Sequence, residues 1–172
     1  MRPRIMLEHL KMRNKILVAA AFCFATAGYS TLARACPDYM ISGETFRASG
    51  SEFYTPRTFD IVAGGDTPLS ACPHIDPLTD SGPGYVMARP DFTFSLSGMS
   101  AYTLEISVVS KCDSMLLVNT GRANWYYDDD DNGNYDPKIV LTRPSDGWLD
   151  IWIGTYDGQY CNAVLEMETF YR

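Results

Sequence analysis

From Phe59 onward, apolar residues recur at every second position in short runs, and Gly, Pro, Asn or Asp separates one run from the next. That period of two marks strands with one face toward a core and the other toward water. Phe59, Ile61 and Ala63 alternate and stop at Gly64-Gly65, and Phe92, Phe94 and Leu96 alternate and stop at Gly98. Tyr102, Leu104, Ile106 and Val108 form the cleanest run, with Thr103, Glu105 and Ser107 pointing the other way. Met115 to Val118 is continuously apolar, as expected of a strand covered on both faces. Pro137 to Leu141, Trp148 to Ile153 and Ala163 to Phe170 supply three more runs; in the last, Leu165 and Met167 face in while Glu166 and Glu168 face out. Seven or more strands at this spacing predict an all-β fold, an antiparallel β-sandwich or jelly-roll. The stretch from Cys72 to Arg89 holds Pro73, Pro77, Gly82, Pro83 and Gly84 and reads as a long irregular loop.

The first 35 residues follow a different pattern. Arg2, Arg4, Lys11, Arg13 and Lys15 precede an apolar stretch, Ile16 to Ala27, and Ala33-Arg34-Ala35 stands directly before Cys36. A basic start, a short apolar stretch and an Ala-x-Ala site make a secretory signal peptide, with Met1 or Met12 as its start. The apolar stretch is too short to span a bilayer as a resident helix, and no later one is longer, so no transmembrane segment is expected. The expectation is one β-sandwich domain over residues 36–172, exported to the periplasm or secreted.

Export changes the charge picture. Of 14 basic and 21 acidic residues, the leader holds 6 and 1, leaving 8 against 20 and a net charge of −12 on residues 36–172. Such a chain is repelled by phosphate backbones and anionic lipid, which argues against nucleic acid and favours cations or basic partners. Cys36, Cys72, Cys112 and Cys161 are an even set, and in an oxidising compartment they imply two disulfides. Of the three pairings, Cys36–Cys72 with Cys112–Cys161 is favoured, because each bond would tie one half of the chain to itself. Zinc is disfavoured by the cysteine spacing. Lipidation of Cys36 is disfavoured by Arg34, which sits where a small residue is wanted.

The densest chemistry lies in Asp128-Asp129-Asp130-Asp131-Asn132-Gly133-Asn134-Tyr135-Asp136. With Asp128 as position 1, Asp130, Asn132 and Gly133 match the opening of an EF-hand-type calcium loop, where alternate oxygens converge on one hard cation. Ile139 stands where a bidentate Glu would close such a loop. The candidate calcium ligands are therefore Asp128, Asp130, Asn132 and Asp136, completed by Asp113 or Asp157; the plain alternative is a solvated acidic turn. Trp148 and Trp152 share one face of a strand with Asp150 between them, opposite Leu149, Ile151 and Ile153. If the aliphatic face is core, the tryptophans, joined by Trp125, are candidates to bind a protein or carbohydrate at the cell envelope, unless a second layer or the Cys72–Arg89 loop covers them. Beyond the leader the sole histidine is His74, the only candidate base for a secreted hydrolase, and Ser70, Ser81 and Ser114 lack a nucleophile context.

Residues 90–170 carry an ordered set of motifs: Leu96-Ser97-Gly98-Met99, then Cys112-Asp113-Ser114-Met115-Leu116-Leu117-Val118-Asn119, Trp125-Tyr126-Tyr127-Asp128-Asp129-Asp130, Asn134-Tyr135-Asp136-Pro137-Lys138-Ile139 and Asp150-Ile151-Trp152-Ile153-Gly154-Thr155-Tyr156-Asp157-Gly158. This order resembles the bacterial pre-peptidase C-terminal domain and its stand-alone exported relatives. The resemblance implies a β-sandwich that serves beside secreted peptidases as an accessory or binding module. No peptidase domain is expected ahead of it, and an acidic turn, Asp128 to Asp136, replaces the family's glycine-rich one. The expected function is a non-catalytic binding module, with a secreted hydrolase or peptidase-associated protein as the alternative.

Overall fold

The computed structural model describes residues 35–172. The leader and the choice between Met1 and Met12 lie outside the described residues. In chain order the strands are β1 (Glu44–Ser49), β2 (Arg57–Ala63), β3 (Thr67–Pro68), β4 (Tyr85–Val86), β5 (Phe92–Ser97), β6 (Tyr102–Ser110), β7 (Ser114–Thr120), β8 (Trp125–Asp128), β9 (Lys138–Leu141), β10 (Gly147–Thr155) and β11 (Cys161–Tyr171). One sheet runs β1–β5–β10–β7–β8, and the short pair β3–β4 joins it where Tyr85 meets Thr155. The other runs β2–β11–β6–β9. No helix among the described residues is long and apolar enough to cross a membrane.

All seven runs form strands: the alternating ones turn one apolar row to the core, and Met115–Val118 in β7 is buried on both faces. Leu104, Ile106 and Val108 of β6 face Leu165 and Met167 of β11 within the same layer. From the first sheet, Phe92, Phe94, Leu96, Leu116, Val118, Leu149, Ile151 and Ile153 meet them across the sandwich. At roughly 1.5–3 kcal/mol for each large apolar side chain buried, this layer contributes the main driving force for folding. Phe46, Phe59, Phe92 and Phe94 cluster at one end with ring centroids 5.1–6.2 Å apart.

The antiparallel expectation needs one correction: β1 and β5 pair in parallel, from Glu44 opposite Phe92 to Ser49 opposite Ser97. No hairpin links them. The chain leaves β1 for β2 in the other sheet, so its direction beside β5 is set by docking and not by a turn. Only Phe46 and Ala48 of β1 pack on the core, which is why the segment shows no clear alternation. The approach to β1 is just as tight, since a Cβ on Gly43 would lie 2.5 Å from the Pro90 carbonyl oxygen.

The disulfides are Cys36–Cys72 and Cys112–Cys161, the favoured pairing. The first fastens the N-terminal segment to the start of the Cys72–Arg89 stretch. The second joins the β6–β7 turn to the start of β11. At the entry to β5, Asp91 accepts a hydrogen bond from the Ile153 N–H at 2.7 Å. Burial outweighs that bond and pushes its carboxyl up to about 7.

Two predictions follow from this frame. Replacing Cys112 and Cys161 together by Ser should cost about 4 kcal/mol in denaturant unfolding, the loop-closure value for a 49-residue separation; a loss under about 1 kcal/mol would show that the bond restrains little. Because the folded Asp91 binds its proton more tightly than an unfolded aspartate, its stabilising contribution is full below about pH 4 and is lost as pH rises toward 7. Asp91→Asn should therefore exceed the parent in stability by about 4 kcal/mol at pH 8 and match it near pH 4. A difference independent of pH in urea titrations would reject this assignment.

Candidate functional site

Among the described residues no second sheet covers the outer face of the first sheet, and that face divides into three cross-strand rows. In one row Trp152 of β10 lies opposite Leu117 of β7, which lies opposite Tyr127 of β8. In the next, Thr93, Asp150, Asn119 and Trp125 sit side by side on β5, β10, β7 and β8. In the third, Trp148 stands opposite Ser95. Adjacent rows are two residues apart on each strand, so all of these side chains point to the same side of the sheet.

The Trp152 row is covered. Trp152, Trp125, Tyr127, Met115, Leu117 and Val86 form a second apolar cluster, with Leu69 and Ile75 packed against it. The indole N–H of Trp152 donates to the Ala88 carbonyl at 3.4 Å, and the Tyr127 hydroxyl donates to the Pro83 carbonyl at 2.6 Å. The Cys72–Arg89 segment is thus a lid of irregular chain whose carbonyls satisfy the polar tips of the aromatics beneath it. On β10, Gly154 lets the lid come close, since a Cβ there would sit 2.2 Å from the Tyr85 carbonyl oxygen. Trp125 and Trp152 are accordingly corrected from surface recognition residues to buried packing residues, 7% and 0% exposed. Trp148, beyond the edge of the lid, is 55% exposed.

Beside Trp148 the outer face opens into a cleft of about 450 Å³. Its floor is Thr93, Asp150 and Asn119, all buried, and its far wall is Tyr39 and Met40 from the segment that follows Cys36. Thr93 Oγ1 accepts from the Gly43 N–H at 2.9 Å and donates to Asp150 Oδ1 at 2.6 Å, which orients the carboxylate. Burial raises the Asp150 carboxyl above the usual aspartate range, against the lowering effect of the Thr93 bond. Asn119 Nδ2 is buried and has no hydrogen-bond partner, alone in this among the described residues. Buried donors are nearly always paired, and leaving one unpaired costs about 1–3 kcal/mol. Thr93, Asn119, Tyr39 and Met40 were absent from the sequence candidates. The available signal was a polar residue, Asn119 or Asp150, interrupting an otherwise apolar strand on the face away from the core.

The acidic turn caps the other end of the sheet. Asp128, Asp130 and Asp131 bring carboxylate oxygens within 4.8 Å of one another. Asp128 Oδ2 accepts from the N–H groups of Asp131 and Lys138 at 3.1 and 2.7 Å. Burial first, and then neighbouring acids, raise Asp128 against the two hydrogen bonds it accepts, and burial with neighbouring acids raises Asp129 as well. Asp113 is raised by burial and then by Asp157 and Asp130, but neither Asp113 nor Asp157 is among the carboxylates that converge.

Two expected ligands turn inward instead. Asp136 is 3% exposed, and its Oδ1 accepts from the Ser110 N–H, the Ser110 hydroxyl and the Ser114 hydroxyl at 3.0, 2.8 and 3.0 Å. Asn132 donates its amide to the Val108 carbonyl at 3.0 Å. Both fasten the turn to the β6–β7 connection, and Asp131, outside the expected set, takes their place among the clustered carboxylates. Gly133, Asn134 and Tyr135 have φ of 75°, 56° and 61°, a left-handed run that reverses the chain tightly enough to do this. Ile139 is buried in the core and offers no oxygen to close a loop. His74 is exposed on the turn after Cys72, and Ser114 is occupied with Asp136.

No family model matches the chain, and no curated protein matches it. Among solved structures it is similar to PliG of Aeromonas hydrophila, a periplasmic lysozyme inhibitor of g-type lysozyme, at 10% identity and a TM-score of 0.44, over 75% of this chain and 98% of that one. It is also similar to the pre-peptidase C-terminal domain of collagenase from Bacillus anthracis, at 13% identity and a TM-score of 0.40, over 74% and 96%. The second is a domain of the family that residues 90–170 resemble.

Proposed function

We propose that this chain is an exported β-sandwich that works by binding, with the cleft beside Trp148 as its recognition site. The observation that carries this reading is the unpaired Asn119 amide beside a buried, oriented Asp150 under an exposed tryptophan. A cleft with an apolar wall and a few fixed polar groups is the usual form of a ligand site. Two disulfides in a chain of this length agree with export to an oxidising compartment. The hydrolase alternative would rest on His74, which is exposed on the turn after Cys72.

Calcium at the acidic end is the second part of the proposal, supported by the convergence of Asp128, Asp130 and Asp131. Mutual repulsion of these carboxylates opposes folding at neutral pH, and a hard divalent cation would relieve it. The metal would stabilise that end without taking part in recognition.

Two measurements test these parts separately. Calcium at a hundredfold excess over its dissociation constant should stabilise the protein by about 2.7 kcal/mol, read as a higher melting temperature that chelator reverses and Asp130→Ala abolishes. An unchanged midpoint would leave the acidic end a plain turn. For recognition, calorimetry with neutral oligosaccharides and short basic peptides should find at least one class that binds the parent and His74→Ala alike but not Trp148→Ala. Trp148→Ala, at an exposed site, should alter stability by no more than about 0.5 kcal/mol. Binding unaffected by Trp148→Ala would place recognition elsewhere.

A further inference from the structure

We propose that the Trp148 cleft takes a saccharide, holding two neighbouring hydroxyls of one sugar ring between Asn119 and Asp150 while the ring lies along the Trp148 indole. This rests on the reading of the cleft as the recognition site and names the ligand class.

The floor of the cleft selects among chemistries. Asn119 and Asp150 are directly opposed on neighbouring antiparallel strands, which sets their Cβ atoms about 5 Å apart. Asn119 brings a donor that lacks an acceptor. Asp150 brings an acceptor that Thr93 already orients through Oδ1. Nδ2 is itself buried, so in this proposal the occupant is met by a turn of the Asn119 amide about its soft terminal torsion. An occupant must therefore accept at one point and donate at the next, over a few ångströms.

Charged occupants fail one of these requirements. Lysine and arginine side chains only donate, so they would pair with Asp150 and leave the Asn119 amide without an acceptor. A carboxylate or phosphate would satisfy Asn119 but stand against Asp150. A hydroxyl both donates and accepts, and two on adjacent ring carbons match the spacing: one donates to Asp150, its neighbour accepts from Asn119. The walls fit the rest of a sugar ring. The exposed indole of Trp148 offers an apolar platform for its C–H face, and Tyr39 and Met40 close the opposite side. Cys36–Cys72 fastens the segment that carries them. A larger hollow of about 730 Å³ lies on the outer face of the second sheet around Val62, Val109 and Val164, but it has no buried polar group to select an occupant.

The test is calorimetric titration of the purified, oxidised protein with hexasaccharides of glucose, mannose and galactose, and separately with oligoarginine. At least one hexasaccharide should bind the parent. Trp148→Ala and Asn119→Leu should each weaken it about tenfold or more. Asn119→Leu should at the same time raise the melting temperature, because it removes the unpaired buried donor. Hexasaccharide binding that both variants retain would overturn the proposal. Oligoarginine binding lost in Trp148→Ala, with no hexasaccharide bound, would keep the cleft as a recognition site and reject the saccharide. No Trp148-dependent binding of either probe would reject both.

Discussion

The architecture hangs on β10, which is buried on both faces although only one is covered by the other sheet. Leu149, Ile151 and Ile153 point into the sandwich, while Trp152 points out from between them and is wholly buried as well. A tryptophan in that position obliges the chain to supply a second cover, and the Cys72–Arg89 segment does so with prolines, glycines and well-placed carbonyls in place of a strand. Cys36–Cys72 restrains the near end of that cover, and β4 pairs its far end to Thr155. The same restraint holds Tyr39 beside Trp125, at a ring separation of 5.9 Å. The wall of the cleft is therefore a by-product of covering Trp152.

Where the cover stops, the polar row begins. Thr93, Asp150 and Asn119 lie one step beyond the tryptophan cluster, too far inside for solvent to satisfy them fully and too far out for the lid to reach. Thr93 and Gly43 settle half of the demand through a short relay. Asn119 is left over. In the binding site proposed above, the partner missing from this arrangement would arrive with the ligand.

Charge is organised at the other end of the sheet. Asp136 acts as an internal acceptor for three donors, and Asn132 as a tether, so the turn is held from within. Asp128, Asp130 and Asp131 are thereby gathered. Burial, and then neighbouring acids, raise the carboxyls of Asp113, Asp128 and Asp129 at this end. In the sequence an inward-turned Asp136 and an outward-turned Asp130 look alike, because both are acids in a turn.

The alternation of β2, β5, β6, β9, β10 and β11, and the two-sided burial of β7, were legible in the sequence because each is a local consequence of facing one core or two. The disulfide pairing was legible for a related reason, since each bond closes a loop within one half of the chain. Strands β1, β3, β4 and β8 were not: β1 turns only Phe46 and Ala48 to the core, and β3, β4 and β8 are two to four residues with no apolar–polar alternation; nor was the parallel β1–β5 pairing, which no hairpin announces. Sequence spacing placed Trp148 and Trp152 on one face and correctly set Asp150 between them. Only the tertiary structure decided that one tryptophan lies under the lid and the other beyond its edge, since a lid 60 residues earlier in the chain leaves no trace in the strand it covers. Nor could the strands separately reveal the cleft floor: Thr93, Asn119 and Asp150 become neighbours only through the register of three strands, and register is set by packing across the whole sheet.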